Sequence, residues 1–356
     1  MKSSYQASRS TKRTKWDALR WQYLGIFLST FLIWQYMLWG WLSGMPEAQP
    51  PGNTLVDSHG QQNSTKGYIT VIEGYPRLPP VEQEKLSPPS PNDVEGLTDS
   101  EVDRLHIATI HAFPKSAEKR VISFGLYGND SKYTIGAIRN AELAPLYFPG
   151  WIARFYVDSS VPLDVLKRLK ELDAEIIMMQ TTGNDLIAGM FWRFLIADDA
   201  SVDRFIVRDT DSRLNARDRL AVQEWINSGI PIHSIRDSVW HCHPLNGGMW
   251  GGTHGAIQNI GARMASWSAK SAYGEDMDFL NTDVWPLVES KQISHDAYCC
   301  EQFPNAHSFP SKRYLCYQHV GQVFNHLEEP VQQHIEDIRS KVIDEKCRRH
   351  VDWIYG

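Results

Sequence analysis

"FIVRDTDSRL", Phe205 to Leu214, is the stretch from which the rest of the chain is read. The apolar run Phe205-Ile206-Val207 stops at two aspartates one residue apart, with Arg208 and Arg213 on either side. Two carboxylates at i and i+2 can turn towards one point once a strand leaves its sheet. Such a pair suits a hard divalent cation, which favours oxygen ligands and completes its shell with phosphate and water. The local alternative is a salt-bridged strand end, in which Asp209 and Asp211 pair with Arg208 and Arg213.

The surroundings of this stretch repeat its form. Val121–Tyr127 (VISFGLY), Trp151–Val157 and Ile176–Met179 read as strands, and Arg204–Arg208 is the fourth of the series. Helical stretches lie between them, from about Tyr133 to Leu146 and from Val161 to Asp173, and another covers Met190–Ala197. Strand alternating with helix predicts a parallel sheet in an α/β layer fold. Ligands of such sheets bind beyond the carboxyl ends of the strands, where Asp209 and Asp211 fall. Further on, Arg217–Asn227 is predicted helical, Pro231–Ile235 a strand, and Met277–Leu287 helical or nearly so. The glycine-rich segment LNGGMWGGT, Leu245 to Thr253, reads either as a tight turn or as a close approach of backbone to something else.

The chain has 356 residues and a net charge of -6. With no long basic run beyond the N-terminus, no nucleic-acid partner is expected. Trp21 to Pro46 carries no charged side chain, and Leu24–Leu42 within it matches the length of a bilayer core. Lys2, Arg9, Lys12, Arg13, Lys15 and Arg20 precede it, opposed only by Asp17. That bias predicts a cytoplasmic tail (1–20), a retained signal anchor (21–43) and a lumenal remainder, hence a type II membrane protein of the Golgi or ER. Its competitor is a cleaved signal peptide, but no A-x-A-like site stands out. Proline and polar residues mark 44–117 as an extended stalk, leaving 118–356 as the globular domain. Asn63 and Asn129 begin glycosylation sequons. Five cysteines, Cys242, Cys299, Cys300, Cys316 and Cys347, allow at most two bridges in an oxidising lumen.

These pieces together resemble the GT-A class of nucleotide-sugar glycosyltransferases, most of all the metal-dependent, retaining, glycogenin-like group. The resemblance rests on Phe124–Asn129, the helix MFWRFLIAD, the strand ending in Asp209-Thr-Asp211, the turn Asn246-Gly-Gly248-Met249, and Asp276-Met-Asp278-Phe-Leu280-Asn281. Met277 stands where that group commonly has glutamine. The resemblance implies a mixed sheet flanked by helices. It also implies that Asp209 and Asp211 hold Mn2+ or Mg2+ on the diphosphate of a nucleotide-sugar donor. Tyr127 and Asn129 would lie by the base and ribose, and Arg193 would face the diphosphate or donor sugar. Asn246 and Gly248 would let backbone approach donor and acceptor, and Asp276 and Asp278 would sit beside the anomeric carbon or an acceptor hydroxyl. A late histidine would complete the metal shell; among His241, His243, His254, His295 and His319, the last is favoured by its position before Val320-Gly321.

Each residue also has a structural competitor. Tyr127 can be core, Arg193 can pair with Asp198 or Asp199, and Asp276 and Asp278 can form an acidic helix start. The function expected is transfer of a sugar to a hydroxyl of a glycan or glycoprotein, with retention implied by the resemblance. Inversion would call for a general base, a part open to Asp276 or Asp278. Homo-oligomerisation is compatible with this reading. The alternatives are a degenerate transferase kept as a glycan-binding or scaffold subunit, and a metal phosphohydrolase, which would want more clustered Asp and His than the chain offers.

Overall fold

The computed structural model describes residues 110–111, 116–179, 188–267, 273–303, 305–313 and 318–356. The tail, the anchor and nearly all of the stalk, with Asn63 and Cys316, lie outside the described residues. No described helix is long and apolar enough to cross a membrane.

The apolar runs form strands β1 (Arg120–Leu126), β2 (Trp151–Val157), β3 (Glu175–Met178) and β4 (Arg204–Val207). All four are parallel, with β1 at the centre between β2 and β4. The connections carry α1 (Ser131–Tyr147), α2 (Leu163–Glu171) and a 3-10 helix at Gly189–Asp198. Then follow α3 (Ala216–Ser228), β5 (Ile232–Arg236), β6 (Trp250–Thr253), α4 (Ile260–Ser266), α5 (Glu275–Phe279), a π-helical turn (Leu280–Val284) and α6 (Trp285–Val288). A 3-10 turn (Glu289–Lys291), β7 (Gln292–Asp296), β8 (Ala306–His307), α7 (Gln332–Ser340) and a 3-10 turn (Glu345–Cys347) follow.

The sheet has eight described strands in the order β3-β2-β1-β4-β6-β5-β7-β8. The four strands of the alternating series are parallel, as their alternation with helices predicts, while β6 is antiparallel to both β4 and β5. The sheet is therefore mixed and flanked by helices, as the resemblance implied. The glycine-rich segment that reads as a tight turn or a close backbone approach contains strand β6. Pairing with β4 and β5 makes it a strand, and glycine is needed where it lies on β4: a Cβ on Gly251 would come within 2.5 Å of the Phe205 carbonyl oxygen.

Alternation along β1 and β4 divides the core between the two sheet faces. Ile122, Phe124, Leu126 and Ile206 face α1 and α2 in one apolar cluster. Val121, Phe205 and Val207 face the 3-10 helix and α5 in the other. The second face of β1 carries small residues where the first carries large ones. Ser123 donates from Oγ to the Arg193 carbonyl (2.6 Å), and a Cβ on Gly125 would lie 3.1 Å from the Gly189 carbonyl oxygen. Small residues let the 3-10 helix sit directly on the sheet, and this seats Arg193 next to the end of β4.

Two disulfides, Cys242–Cys299 and Cys300–Cys347, use four of the five cysteines.

Candidate active site

Arg208 and Asp209 leave β4 on opposite faces. Arg208 is buried and pairs with Asp218 of α3 through two bonds of 2.6 and 2.8 Å. Arg213 reaches Glu328 instead (2.8 Å). Neither flanking arginine pairs with the two aspartates, so the local salt-bridge alternative is not the arrangement adopted.

Asp209 lies against Arg193, with Nη1 2.7 Å from Oδ1. The same guanidinium gives Nη2 to Asp276 Oδ2 at 2.8 Å. One planar cation thus joins the 3-10 helix, the end of β4 and the start of α5. Arg193 does not pair with its helix neighbours. Asp198 accepts from the amides of Ile260 and Gly261, and Asp199 pairs with Arg154. Arg193 Nε is buried and has no hydrogen-bond partner among the described residues.

Burial works against the charge on Arg193, but Asp209 and Asp276 outweigh it and raise its pKa. For Asp209, 34% of the side chain is open to solvent, yet the carboxyl is crowded by protein. Burial pushes its pKa up against the pull of Arg193, with help from the Asp211 and Asp276 carboxylates. A group whose negative charge is resisted in this way would gain from a second cation beside it.

The glycines of the Leu245–Thr253 segment close in on this cluster. A Cβ on Gly248 would lie 1.9 Å from Asp209 Oδ2, and one on Gly247 would lie 2.7 Å from Arg193 Nη2 and 2.9 Å from Asp276 Oδ2. This is close backbone approach to the charged groups. The segment is fixed by Asn281 of the π-helical turn. Its Oδ1 accepts from the Leu245 amide (2.8 Å), and its Nδ2 donates to the Leu245 carbonyl (3.1 Å) and the Met277 carbonyl (2.8 Å).

Asp211 is held from the other side by Lys132 Nζ at 2.7 Å. Lys132 belongs to a stripe on α1 that the sequence reading missed: Lys132, Gly136 and Asn140, at i, i+4 and i+8 on one face. Asn140 Nδ2 donates to the carbonyls of Thr210 (3.3 Å) and Ser212 (2.8 Å), while Oδ1 accepts from the Leu214 amide (3.0 Å). A Cβ on Gly136 would lie 2.0 Å from the Thr210 carbonyl oxygen. The helix grips the whole D-T-D turn. The only signal for it in the sequence is the spacing itself.

Tyr127 is half exposed, packed edge-on to Trp192 at 5.9 Å, and close enough to Gly189 that a Cβ there would strike its ring. Burial raises its pKa, and Arg193, Asp276 and Asp209 all act on it, so it borders the same cluster. Asn129 and Asp278 are exposed, and no contact among the described residues joins them to the cluster. The Asn246 side chain is buried and donates to the carbonyls of Ile235 (3.2 Å) and His241 (2.9 Å), so it organises its own loop. His319 is buried among His241 (ring centroids 5.5 Å apart) and His334 (6.0 Å), and no contact brings it to Asp209 or Asp211.

Among the described residues, no group of three or more His, Cys, Asp or Glu is placed to hold a metal ion. The fit therefore rests on two hard carboxylates. Asp209 and Asp211 suit Mg2+ or Mn2+ completing its shell with phosphate and water.

No protein-family profile and no curated protein matches the sequence. Among solved structures, glucosyl-3-phosphoglycerate synthase of M. tuberculosis matches with a TM-score of 0.33 and 13% identity, over 56% of this chain and 74% of that one. The same enzyme from Mycobacterium tuberculosis with Mn2+, UDP-glucose and phosphoglyceric acid gives 0.32 and 14%, over 56% and 73%. A mycobacterial protein gives 0.27 and 16%, over 44% and 57%. Likeness at this level leaves the function to be argued from the chain's own residues.

Proposed function

We propose that the chain is a GT-A-type glycosyltransferase, moving a sugar from a nucleotide-sugar donor to a hydroxyl of a glycan or glycoprotein. The observation that carries this reading is Arg193 bridging Asp209 and Asp276 beyond the carboxyl ends of β1 and β4, with Gly247 and Gly248 pressed against all three.

A donor diphosphate needs its charge neutralised as it leaves. Arg193 and Lys132 bring positive charge to the site, and Arg193 Nε is a buried donor without a partner among the described residues. Asp209 and Asp211 would hold a divalent ion, which when bound supplies Lewis-acid stabilisation of the leaving phosphate. Tyr127, half exposed at the end of β1, is suited to pack against the donor's base. Asp276 is oriented by Arg193 towards the same point and is the candidate to contact the reacting sugar or the acceptor hydroxyl. Retention follows from the family resemblance alone. The lumenal type II placement in a Golgi or ER membrane rests instead on the basic flank and uncharged span of residues 1–46.

The test is a panel of nucleotide sugars with Mn2+, scored by donor hydrolysis without acceptor. At least one donor should be hydrolysed in a metal-dependent way. Asp211→Asn keeps the shape and removes one charge. It should lose roughly a hundredfold or more in rate, with little change in melting temperature. Failure with every donor, or near wild-type turnover in Asp211→Asn with a lowered melting temperature, would sink the reading. A glycan-binding subunit without activity would then take its place.

A further inference from the structure

Trp240 is 65% exposed, yet it does not hang on a free loop. Its indole Nε1 donates to Asp337 Oδ2 of α7 at 2.7 Å. The other oxygen of Asp337 accepts from Gln333 Nε2 at 2.9 Å, which fixes the carboxylate in turn. The loop that carries Trp240 is tied at nearly every residue beyond it. His241 gives its carbonyl to Asn246, Cys242 is bonded to Cys299, and the His243 and Pro244 carbonyls accept from Arg236 at 2.8 and 2.7 Å. An exposed tryptophan whose only polar atom is already satisfied presents a bare ring face to solvent in one fixed orientation. The ordering cost of binding on such a face is already met by the fold.

The same loop runs on into Gly247 and Gly248, which touch Arg193, Asp276 and Asp209. The hydrogen bond from Asn246 to the carbonyl next after Trp240 makes that path short. The groups that hold the ring are polar: Asp337, with Gln333 behind it on α7. An apolar plate within a polar rim does not match a greasy protein surface. It matches a sugar ring, whose C–H face is apolar and whose hydroxyls point outward to rim groups.

We propose that Trp240, held by Asp337, is the stacking platform for a saccharide unit of the acceptor. This rests on the transferase reading for the word acceptor, but the saccharide site can be tested without it. The full-length chain, purified in detergent, is titrated with maltotriose, mannotriose, laminaritriose, chitotriose and galactotriose, and binding is followed by saturation-transfer NMR. At least one trisaccharide should bind. Trp240→Ala should weaken it by roughly tenfold or more, Trp240→Phe, which keeps a ring but loses the bond to Asp337, should weaken it by less, and the melting temperature should stay near wild type in both. Binding that is unchanged in Trp240→Ala, equal loss in both variants, or no trisaccharide binding at all would overturn the proposal. Trisaccharide binding that depends on Trp240, in a chain that hydrolyses no nucleotide sugar, would uphold the platform and reject the transferase.

Discussion

Arg193 is the residue on which the site turns. A lysine there would keep the charge but lose the fork that spans two carboxylates. Arg193→Lys should lower stability by about 1.5–3 kcal/mol, the cost of a lost hydrogen bond to a charged group. Donor hydrolysis should fall further than stability alone explains; equal turnover per folded molecule would argue against a role at the reacting centre. Gly248 makes a second case. Adding one methyl 1.9 Å from Asp209 Oδ2 forces either the carboxylate or the loop to move. Gly248→Ala should therefore abolish any protection of the fold by Mn2+ in a melting assay while leaving the unliganded melting temperature within a few degrees. Asp209 and Asp211 were legible in the sequence because charge at the end of an apolar run is costly unless it has a use, whereas Arg193 and Asp276 were singled out by the family resemblance alone. The partners of Arg208 and Arg213, Asp218 and Glu328, were not, because the neighbours that matter come from other elements.

At the scale of elements, strands β1 to β4 were legible because a buried parallel strand is an unbroken apolar run. β6 was hidden by its glycines, which serve to pack closely on β4. The grip of α1 was hidden because a polar stripe at helical spacing ordinarily faces water. That stripe can be tested at Gly136. A methyl there meets the Thr210 carbonyl, which is backbone and cannot rotate away. Gly136→Ala should cost about 1–3 kcal/mol through overpacking, although alanine is the better helix former. It should also reduce donor hydrolysis by shifting Asp209 and Asp211. A stabilised Gly136→Ala protein would show that the helix does not set the turn.

Across the whole molecule, several acids are held below their ordinary range. Burial opposes the charge on Asp237, but Arg217 and Arg313 overcome it and lower its pKa. Burial likewise opposes Glu224, and His295 and Arg349 bring it down to about 2; for Asp199, Ser201 and Arg154 do the same. Folded values below the unfolded ones, about 4, mean that this stability is present above about pH 4 and is lost as pH falls towards the folded values. Burial also holds His233, His241, His295 and His319 below their ordinary range. Melting temperature should therefore begin to fall as pH drops below about 6.5, where the unfolded chain takes up protons that the folded one refuses, and should drop more steeply below about 4. Replacing Asp237 by asparagine leaves Arg217 and Arg313 without a buried counter-charge and should cost about 3–5 kcal/mol at neutral pH. A flat profile down to pH 2 would contradict this account.

The bridge from Arg193 to both aspartates also has a kinetic meaning. Its arm to Asp276 joins groups 83 residues apart in sequence, and Lys132 reaches Asp211 across a similar span. Contacts closed over such long loops form late on the folding route. A ligand that needs them all recognises the native state and has little hold on the transition state before it. Donor nucleotide with Mn2+ should therefore slow unfolding in denaturant jumps and leave the refolding rate nearly unchanged.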